Sequence, residues 1–358
     1  MEAQTGTRPI AEQHRFDTAA LEAYLRQHLP DFQGPLTVEQ FKGGQSNPTY
    51  KLSTPACSYV MRAKPGPAAK LLPSAHAIER EFTVMKALYG TEVPVARMHV
   101  LCEDESVIGR AFYIMEYVEG RVLWEQSLPS LEPAQRGAIY DEMNRVIAAL
   151  HSVDFRARGL ADFGKPGNYF ERQIARWTKQ YQASITQPIE AMDRLIEWLP
   201  AHIPDSARDD SQVSIVHGDY RLDNLIFHPT EPRVLAVLDW ELSTIGHPLA
   251  DFSYHCMSWH IPPGSFRGLG GLDLASLGIP SERDYVRRYC ERTGRGDPDA
   301  VMADWNFYLA YNLFRIAGIL QGIAKRVEDG TASSAQARQA AAGARPLAEM
   351  GWRYASGG

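Results

Sequence analysis

Cysteine is scarce in this chain. The four residues, Cys57, Cys102, Cys256 and Cys290, lie far apart and form no C-x-x-C pair, which excludes a paired-cysteine zinc site and a dense disulfide framework. Long apolar runs are missing too. No stretch reaches about 18 consecutive apolar residues, and the opening "MEAQTGTRPIAEQHRFDTAA" holds no apolar core of the kind a secretory signal needs. A soluble, cytoplasmic protein with no membrane partner is therefore expected. Nor is there a surplus of positive charge: 37 Lys and Arg against 43 Asp and Glu leave a net charge of -6. Nucleic acid is disfavoured as the main partner, because a phosphate backbone calls for a concentrated basic surface. Internal repeats and low-complexity linkers are absent. What remains, 358 residues with 44% hydrophobic and 22% charged, is the balance of an ordinary globular chain. Single cores stop growing near about 250–300 residues, so two lobes are expected.

The periodicity changes character once along the chain. Over 16–32, Phe16, Leu21, Leu25 and Leu29 share a helical face, and "GPLTVEQFKGGQSNPTYKLST" then alternates like a hairpin interrupted by glycines. "CSYVMRAKP" reads as a third strand, with Tyr59 and Met61 on one face and Val60 and Arg62 on the other. In "PSAHAIEREFTVMKALYG" (73–90), Ser74 can cap a helix with a stripe of Ile78, Phe82, Met85 and Tyr89; Glu81 lies beside the stripe and Gly90 closes the helix. Two more strands flank the turn "EDES" within 93–120. Beyond Gly120 helices dominate. Pro133 opens one that turns Ile139, Met143, Val146, Ile147 and Leu150 inward, a long one covers 303–326, and an Ala-rich last one covers 332–352. The expectation is an α+β, bilobal fold: a helical extension over 1–34, a small β-rich lobe over 35–118 and a larger, mainly helical lobe over 119–358.

Within the helical half, short strand-like pieces around 213–228 and 233–241 bracket "HGDYRLDN". Asp219 and Asn224 have the D-x-x-x-x-N spacing in which an acid accepts a hydroxyl proton and the carboxamide supplies an oxygen to Mg²⁺. Asp239 follows at the end of the apolar run "VLAVL". Together they offer the few oxygen ligands Mg²⁺ prefers, leaving room for water and substrate phosphates. Asp223 is read as a turn residue, since Asp favours such places anyway.

"VHGDYRLDNLIF" followed by "VLDWELSTIGHPLADFSY" resembles the aminoglycoside phosphotransferase and choline kinase group of enzymes, which share the protein-kinase-like fold; the resemblance covers roughly residues 35–325. It implies ATP and Mg²⁺ as cofactors, Asp219 as the catalytic base, and Asn224 and Asp239 as the metal ligands. Arg221 matches the place where protein kinases set a lysine near the transferred phosphate. Arg62 takes the position of the family's strand lysine, a departure: arginine keeps the charge but presents a planar fork. The alternative for Arg62 is a solvated edge charge beside Lys64. Glu81 matches the helix glutamate that pairs with the strand cation, with Glu79 as its rival. Gly43, Gly44, Ser46 and Asn47 fit the hairpin that covers the nucleotide phosphates, and the backbone of Glu116, Tyr117 and Val118 fits the hinge that reads adenine. His217 is expected to organise the loop by bonding backbone carbonyls, and Asp251 to brace it from the following helix.

Among relatives, the chain looks most like the kinase-like domains associated with acyl-CoA dehydrogenases. The resemblance implies a small-molecule hydroxyl acceptor, a hydroxyacyl-CoA or hydroxy acid, in a monomer or homodimer. An aminoglycoside or other amino-alcohol kinase and a catalytically inactive nucleotide-binding module are the alternatives. Tyr311, Asn312, Arg315 and Gln321 could face the acceptor, or could belong to a helix packed within the lobe.

Overall fold

The computed structural model describes residues 6–42, 47–66, 77–264, 267–331 and 335–357. Gly43, Gly44 and Ser46 of the phosphate-covering hairpin and the helix-capping Ser74 lie outside the described residues. In chain order the first elements are β1 (Thr7–Arg8), α1 (Thr18–His28), β2 (Thr37–Phe41), β3 (Thr49–Ser53), β4 (Ser58–Ala63), α2 (Ile78–Leu88), β5 (Met98–Cys102), β6 (Phe112–Glu116) and β7 (Arg121–Val122). Next come α3 (Pro133–Ser152), α4 (Tyr169–Gln182), α5 (Glu190–Ala201), β8 (Ser214–Val216), β9 (Leu225–Phe227), β10 (Val234–Val237) and β11 (Thr244–Gly246). Helices α6 (Pro248–Cys256), α7 (Leu274–Leu277), α8 (Glu282–Thr293), α9 (Pro298–Ala303), α10 (Trp305–Glu328), α11 (Ala335–Ala341) and α12 (Ala344–Ala355) complete the order. The fold is α+β, with an N-terminal antiparallel sheet and a largely helical C-terminal part. No helix among the described residues is long and apolar enough to cross a membrane.

The chain folds into two compact units. The first gathers Met1–Trp124, Arg158–Phe163 and Asp223–Ser243; the second gathers Glu125–Ala157, Gly164–Leu222 and Thr244–Gly358.

In the first unit a six-stranded antiparallel sheet runs in the order β1-β2-β3-β4-β6-β5. The period-two pattern of β4 does what alternation dictates: Tyr59, Met61 and Ala63 join Leu21, Leu25 and Leu29 in one core. Asp17 starts α1 by accepting the Ala19 and Ala20 N–H groups. The stretch before β2 also adds an edge strand, β1, paired with Phe41 and Gln40. Helix α2 departs from its expected phase. It buries Ile78, Glu81, Val84, Met85 and Leu88, while Tyr89 is 50% exposed. The cause is Glu81: its carboxylate pairs with Arg62 under the sheet, so the helix rolls toward the face that carries it. A second sheet, β10-β9-β7, belongs to the same unit.

In the second unit β8 and β11 pair antiparallel, and α10 packs against α4, α5, α6, α11 and α12. Helix α3 opens with Pro133 and buries Ile139, Met143, Val146, Ile147 and Leu150 as its periodicity predicts. The Ala-rich segment is two helices rather than one, because α11 ends before Gly343, whose added Cβ would meet Leu320 Cδ1 at 3.0 Å. The long helix likewise begins at Trp305, after a separate turn-forming α9 capped by Asp297.

Candidate active site

The first unit assembles an ionic cluster around the buried Glu81. Because β4 lies between β3 and β6, Arg62 leaves the sheet from an interior strand, opposite Thr49 and Tyr113. Its side chain is 12% exposed, which excludes the edge-charge alternative. Arg62 Nε lies 3.1 Å from Glu81 Oε2, and Nη2 lies 3.0 Å from Asp239 Oδ1 and 3.2 Å from Glu241 Oε2. Glu81 also accepts from the Tyr113 hydroxyl at 3.0 Å and from Asn47 Nδ2 at 3.1 Å. Lys64 pairs with Glu79 instead, so Glu81 is the helix acid that meets the strand cation. Asn47, expected as an outward donor to phosphate, is fully buried and turned to Glu81, whose second oxygen needs a partner once buried.

Burial is the largest influence on both charges and opposes their pairing. It pushes the Glu81 carboxyl up to about 7 against the pull of Arg62 and Tyr113, with Asp239 and Glu241 adding to the rise. For Arg62 burial acts downward, but Glu81, Tyr113, Asp239 and Glu241 outweigh it and keep the guanidinium protonated.

Asp239 has φ 64 and ψ 60, the left-handed region, at the start of the turn Trp240–Leu242. That conformation costs a non-glycine residue on the order of 1 kcal/mol. It is imposed by its neighbours: Leu238 N–H donates to Asn224 O at 2.8 Å, and Trp240 Nε1 donates to Val237 O at 2.9 Å. Asn224 and Asp239 therefore stand on two segments pinned together, with Asn224 and Asp223 both buried in the turn Leu222–Asn224. Among the described residues no group of three or more His, Cys, Asp or Glu could hold a metal ion. A carboxamide and a carboxylate, few in number and oxygen only, fit a cation such as Mg²⁺ that keeps water and phosphate ligands.

Glu116 closes β6 and donates its N–H to Arg97 O at 2.9 Å. That group is engaged inside the sheet, so it does not read adenine as expected, and such contact would fall to other backbone groups of the segment. Tyr117 lies with its ring 4.5 Å from Lys51 Nζ, and Val118 follows, half-buried.

The second unit builds the other group, around the loop that leaves β8. Two side chains of α6, three residues apart and so on one face, hold this loop. Asp251 accepts the His217 N–H at 2.6 Å and the Gly218 N–H at 2.8 Å. Tyr254 donates its hydroxyl to Asp219 Oδ1 at 2.5 Å, and Arg221 Nη1 donates to the same oxygen at 2.9 Å. Gly218 takes φ 83, which glycine adopts without steric cost. His217 is buried within the loop, and its Nδ1 accepts the Asp219 N–H at 3.2 Å. The nearby Gly218 carbonyl is already taken by Arg315 Nη2 at 2.5 Å. Burial would raise Asp251, yet its hydrogen bonds and the neighbouring His151 and His217 leave it below the ordinary carboxylate value. Burial also lowers His151, while its hydrogen bond to Asp251 and the Asp251 charge act upward on it.

Arg315 is buried and lies over the Tyr254 ring at 5.1 Å and the Trp177 ring at 5.5 Å. Asn312 Nδ2 donates to Ala250 O and Ser253 Oγ, Gln321 Nε2 donates to Ser184 O, and Tyr311 is buried. These polar groups brace the second unit from within rather than facing an acceptor. Sequence reasoning passed over Tyr113 and Glu241 in the first group and Tyr254 in the second. Glu241 could have been noticed as the acid of "DWE", and Tyr254 as the residue one helical turn beyond Asp251.

Residues 37–296 match the model of a family described as the phosphotransferase enzyme family, APH. Acyl-CoA dehydrogenase family member 10 of Mus musculus is 49% identical over 354 residues, covering 98% of this chain and 32% of its own length. The chain thus spans about a third of that relative. A crystal structure from Ralstonia eutropha JMP134, of a protein provisionally named an aminoglycoside phosphotransferase, is 68% identical, with a TM-score of 0.87 over 96% of this chain and 99% of that one. A thermostable mutant of aminoglycoside phosphotransferase APH(4)-Ia, in ternary complex with AMP-PNP and hygromycin B, is 16% identical with a TM-score of 0.59, over 95% of this chain and 100% of that one. This last likeness is one of fold.

Proposed function

The chain belongs to the phosphotransferase enzyme family, and from that premise we propose that it moves the γ-phosphoryl group of ATP to a hydroxyl of a small molecule. The observation that carries this reading is Arg62, on an interior strand and held within 3.2 Å of Glu81, Asp239 and Glu241. A cation fixed by a helix acid and a loop acid is what a phosphate-binding end of such a site requires. Asn224 and Asp239 would hold Mg²⁺, which supplies charge neutralisation on the phosphates. Asp219 is the base. The acceptor oxygen bonds to the γ-phosphorus while the bond to the β,γ-bridging oxygen breaks, ADP leaves, and the hydroxyl proton passes to Asp219. Arg221, on the same carboxylate, orients it. No covalent enzyme intermediate is needed.

The acceptor we propose is a hydroxyacyl-CoA or hydroxy acid. The name of the mouse relative points toward acyl-CoA chemistry. The immediate neighbours of Asp219 in its unit agree: Arg221 and Tyr254 contact it directly. Cationic and aromatic surroundings favour an acceptor with negative charge over a polycation such as an aminoglycoside. The inactive-module reading is disfavoured by the presence of Asp219, Asn224 and Asp239 together. Asp219→Asn is expected to abolish phosphoryl transfer while AMP-PNP binding persists, and Asp239→Ala to weaken Mg²⁺-dependent AMP-PNP binding. Wild-type turnover by Asp219→Asn would sink the assignment.

A further inference from the structure

We propose that Arg80 is a positioning residue that ties α2 to the turn carrying Asp239, so that the helix acid, the strand cation and the loop acid of the first unit keep one mutual placement. This role rests on the phosphotransferase reading above only for what the placement serves, the phosphates of the nucleotide. Arg80 stands one residue before Glu81, about 100° round the helix from it, and is exposed at the helix surface. Its guanidinium is nevertheless held on several sides. Nη2 donates to Phe163 O at 2.7 Å and to Ser243 O at 3.2 Å, and Cζ lies 4.2 Å from the centre of the Phe163 ring. The two carbonyls come from stretches distant in sequence, Arg158–Phe163 and Asp223–Ser243, that fold in the same unit as α2. Phe163 and Ser243 are themselves buried, so Arg80 grips packed chain. Hydrogen bonds from a charged donor are also the strong ones.

Ser243 is the far end of the turn that sets Asp239. Its N–H donates to Trp240 O at 3.0 Å and closes the turn Trp240–Leu242, which Asp239 opens in the left-handed region. At the near end Asp239 and Glu241 meet Arg62, and Arg62 meets Glu81. The contacts close a ring. It runs from α2 through Glu81 to Arg62 on β4, on to Asp239 and Glu241, along the turn to Ser243, and back to α2 through Arg80. A single contact would leave the helix able to roll about its axis; two contacts at different angles around that axis fix the roll. If α2 shifts, Arg62 and Asp239 lose their placement toward the phosphates, and small misplacements of this kind are costly.

The first measurement needs no nucleotide. Trp240 donates its indole N–H to Val237 O at 2.9 Å, so its ¹H–¹⁵N indole signal in the full chain, identified by Trp240→Phe, reports the turn. Arg80→Gln removes the cation and should shift that signal; Glu81→Gln, which opens the ring elsewhere, should shift it too. Arg80→Lys keeps a cationic donor and should fall between Arg80→Gln and the wild type. The second measurement is the Kd of Mg-AMP-PNP, by calorimetry, for the wild type, Arg80→Gln, Glu81→Gln and the double variant. Loss of hydrogen bonds from a charged group should raise Kd about tenfold in Arg80→Gln. The double variant should bind about as well as the weaker single variant, because a ring opened once is not opened further, whereas independent contacts would multiply their losses. A merely structural Arg80 would lower the unfolding midpoint and leave both readings as in the wild type. An unmoved Trp240 signal in Arg80→Gln, or losses that multiply in the double variant, overturns the proposal. A wild-type chain that binds no AMP-PNP would overturn the phosphotransferase reading instead, and the Trp240 signal then decides the Arg80 coupling.

Discussion

At the scale of single residues, Arg62 and Glu81 carry the largest energetic stake. Removing one partner of a buried ion pair strands the other, and such losses run to about 3–5 kcal/mol. Glu81→Ala should cost about 3 kcal/mol, the lower end, because Arg62 keeps Asp239 and Glu241; the shift of a urea unfolding midpoint measures it. Arg62→Lys should lower AMP-PNP affinity as well as stability, since one ammonium cannot reach Glu81 and the Asp239–Glu241 pair with separate nitrogens. Glu81 also predicts a pH dependence. Its folded pKa, about 7, is raised above the ordinary carboxylate value, so the folded protein binds the proton more tightly than the unfolded chain. The stability this contributes is complete below about pH 4 and is lost as pH rises through about 7. Thermal melts across this range should show the wild type losing stability relative to Glu81→Gln as pH rises; parallel melting curves would contradict it. The short-range part of this chemistry was legible. Asp219, Asn224 and Asp239 stand out because their spacing lies within one loop and its return strand. Tyr113 and Glu241 do not, because their contacts with Glu81 and Arg62 depend on strand register and on a left-handed turn that no local pattern announces.

At the scale of elements, the phase of α2 and the grip of α6 matter most. An amphipathic stripe was read for α2 from its apolar residues alone, and the helix rolled away from it because a charged residue, Glu81, has its partner inside. Hydrophobic periodicity cannot register an inward carboxylate. The same blindness hid Tyr254, which reads as one more apolar residue of α6 until the loop is in place. Asp251→Ala should cost about 2–4 kcal/mol, because the buried N–H groups of His217 and Gly218 would each lose their acceptor. Asp251 lies below its ordinary value, so the stability it lends is present above the unfolded carboxylate pKa and lost as pH falls through the folded one. Acid unfolding should therefore be shallower in Asp251→Ala than in the wild type. Elsewhere, Gly120→Ala should destabilise the β7–β9 pairing, because its Cβ would lie 2.4 Å from the Phe227 carbonyl oxygen. Backbone cannot yield there as a side-chain tip would. A thermal melt unchanged from the wild type would contradict that close approach.

At the scale of the whole molecule, the α+β organisation was readable from the switch between period-two and helical patterning near Gly120. Less local was the path of the chain: residues 223–243, far along the sequence, fold with the N-terminal sheet. Asp219 accordingly belongs to one compact unit, and Asn224 and Asp239 to the other. The three residues that a loop motif presents as one constellation are held by different scaffolds, Asp219 by α6 and Asn224 and Asp239 by the turn at Trp240. The acceptor is the part of the reading that family membership leaves open, and it is also where one measurement reaches furthest. The full chain is incubated with Mg-ATP and a panel of hydroxyacyl-CoAs, hydroxy acids, aminoglycosides and choline-like alcohols, and each acceptor is followed by mass for one added phosphoryl group, with Asp219→Asn in parallel. The account predicts transfer to a hydroxyacyl-CoA or hydroxy acid by the wild type and none by Asp219→Asn. Nucleotide binding without transfer to any hydroxyl, or equal transfer by both proteins, would contradict it.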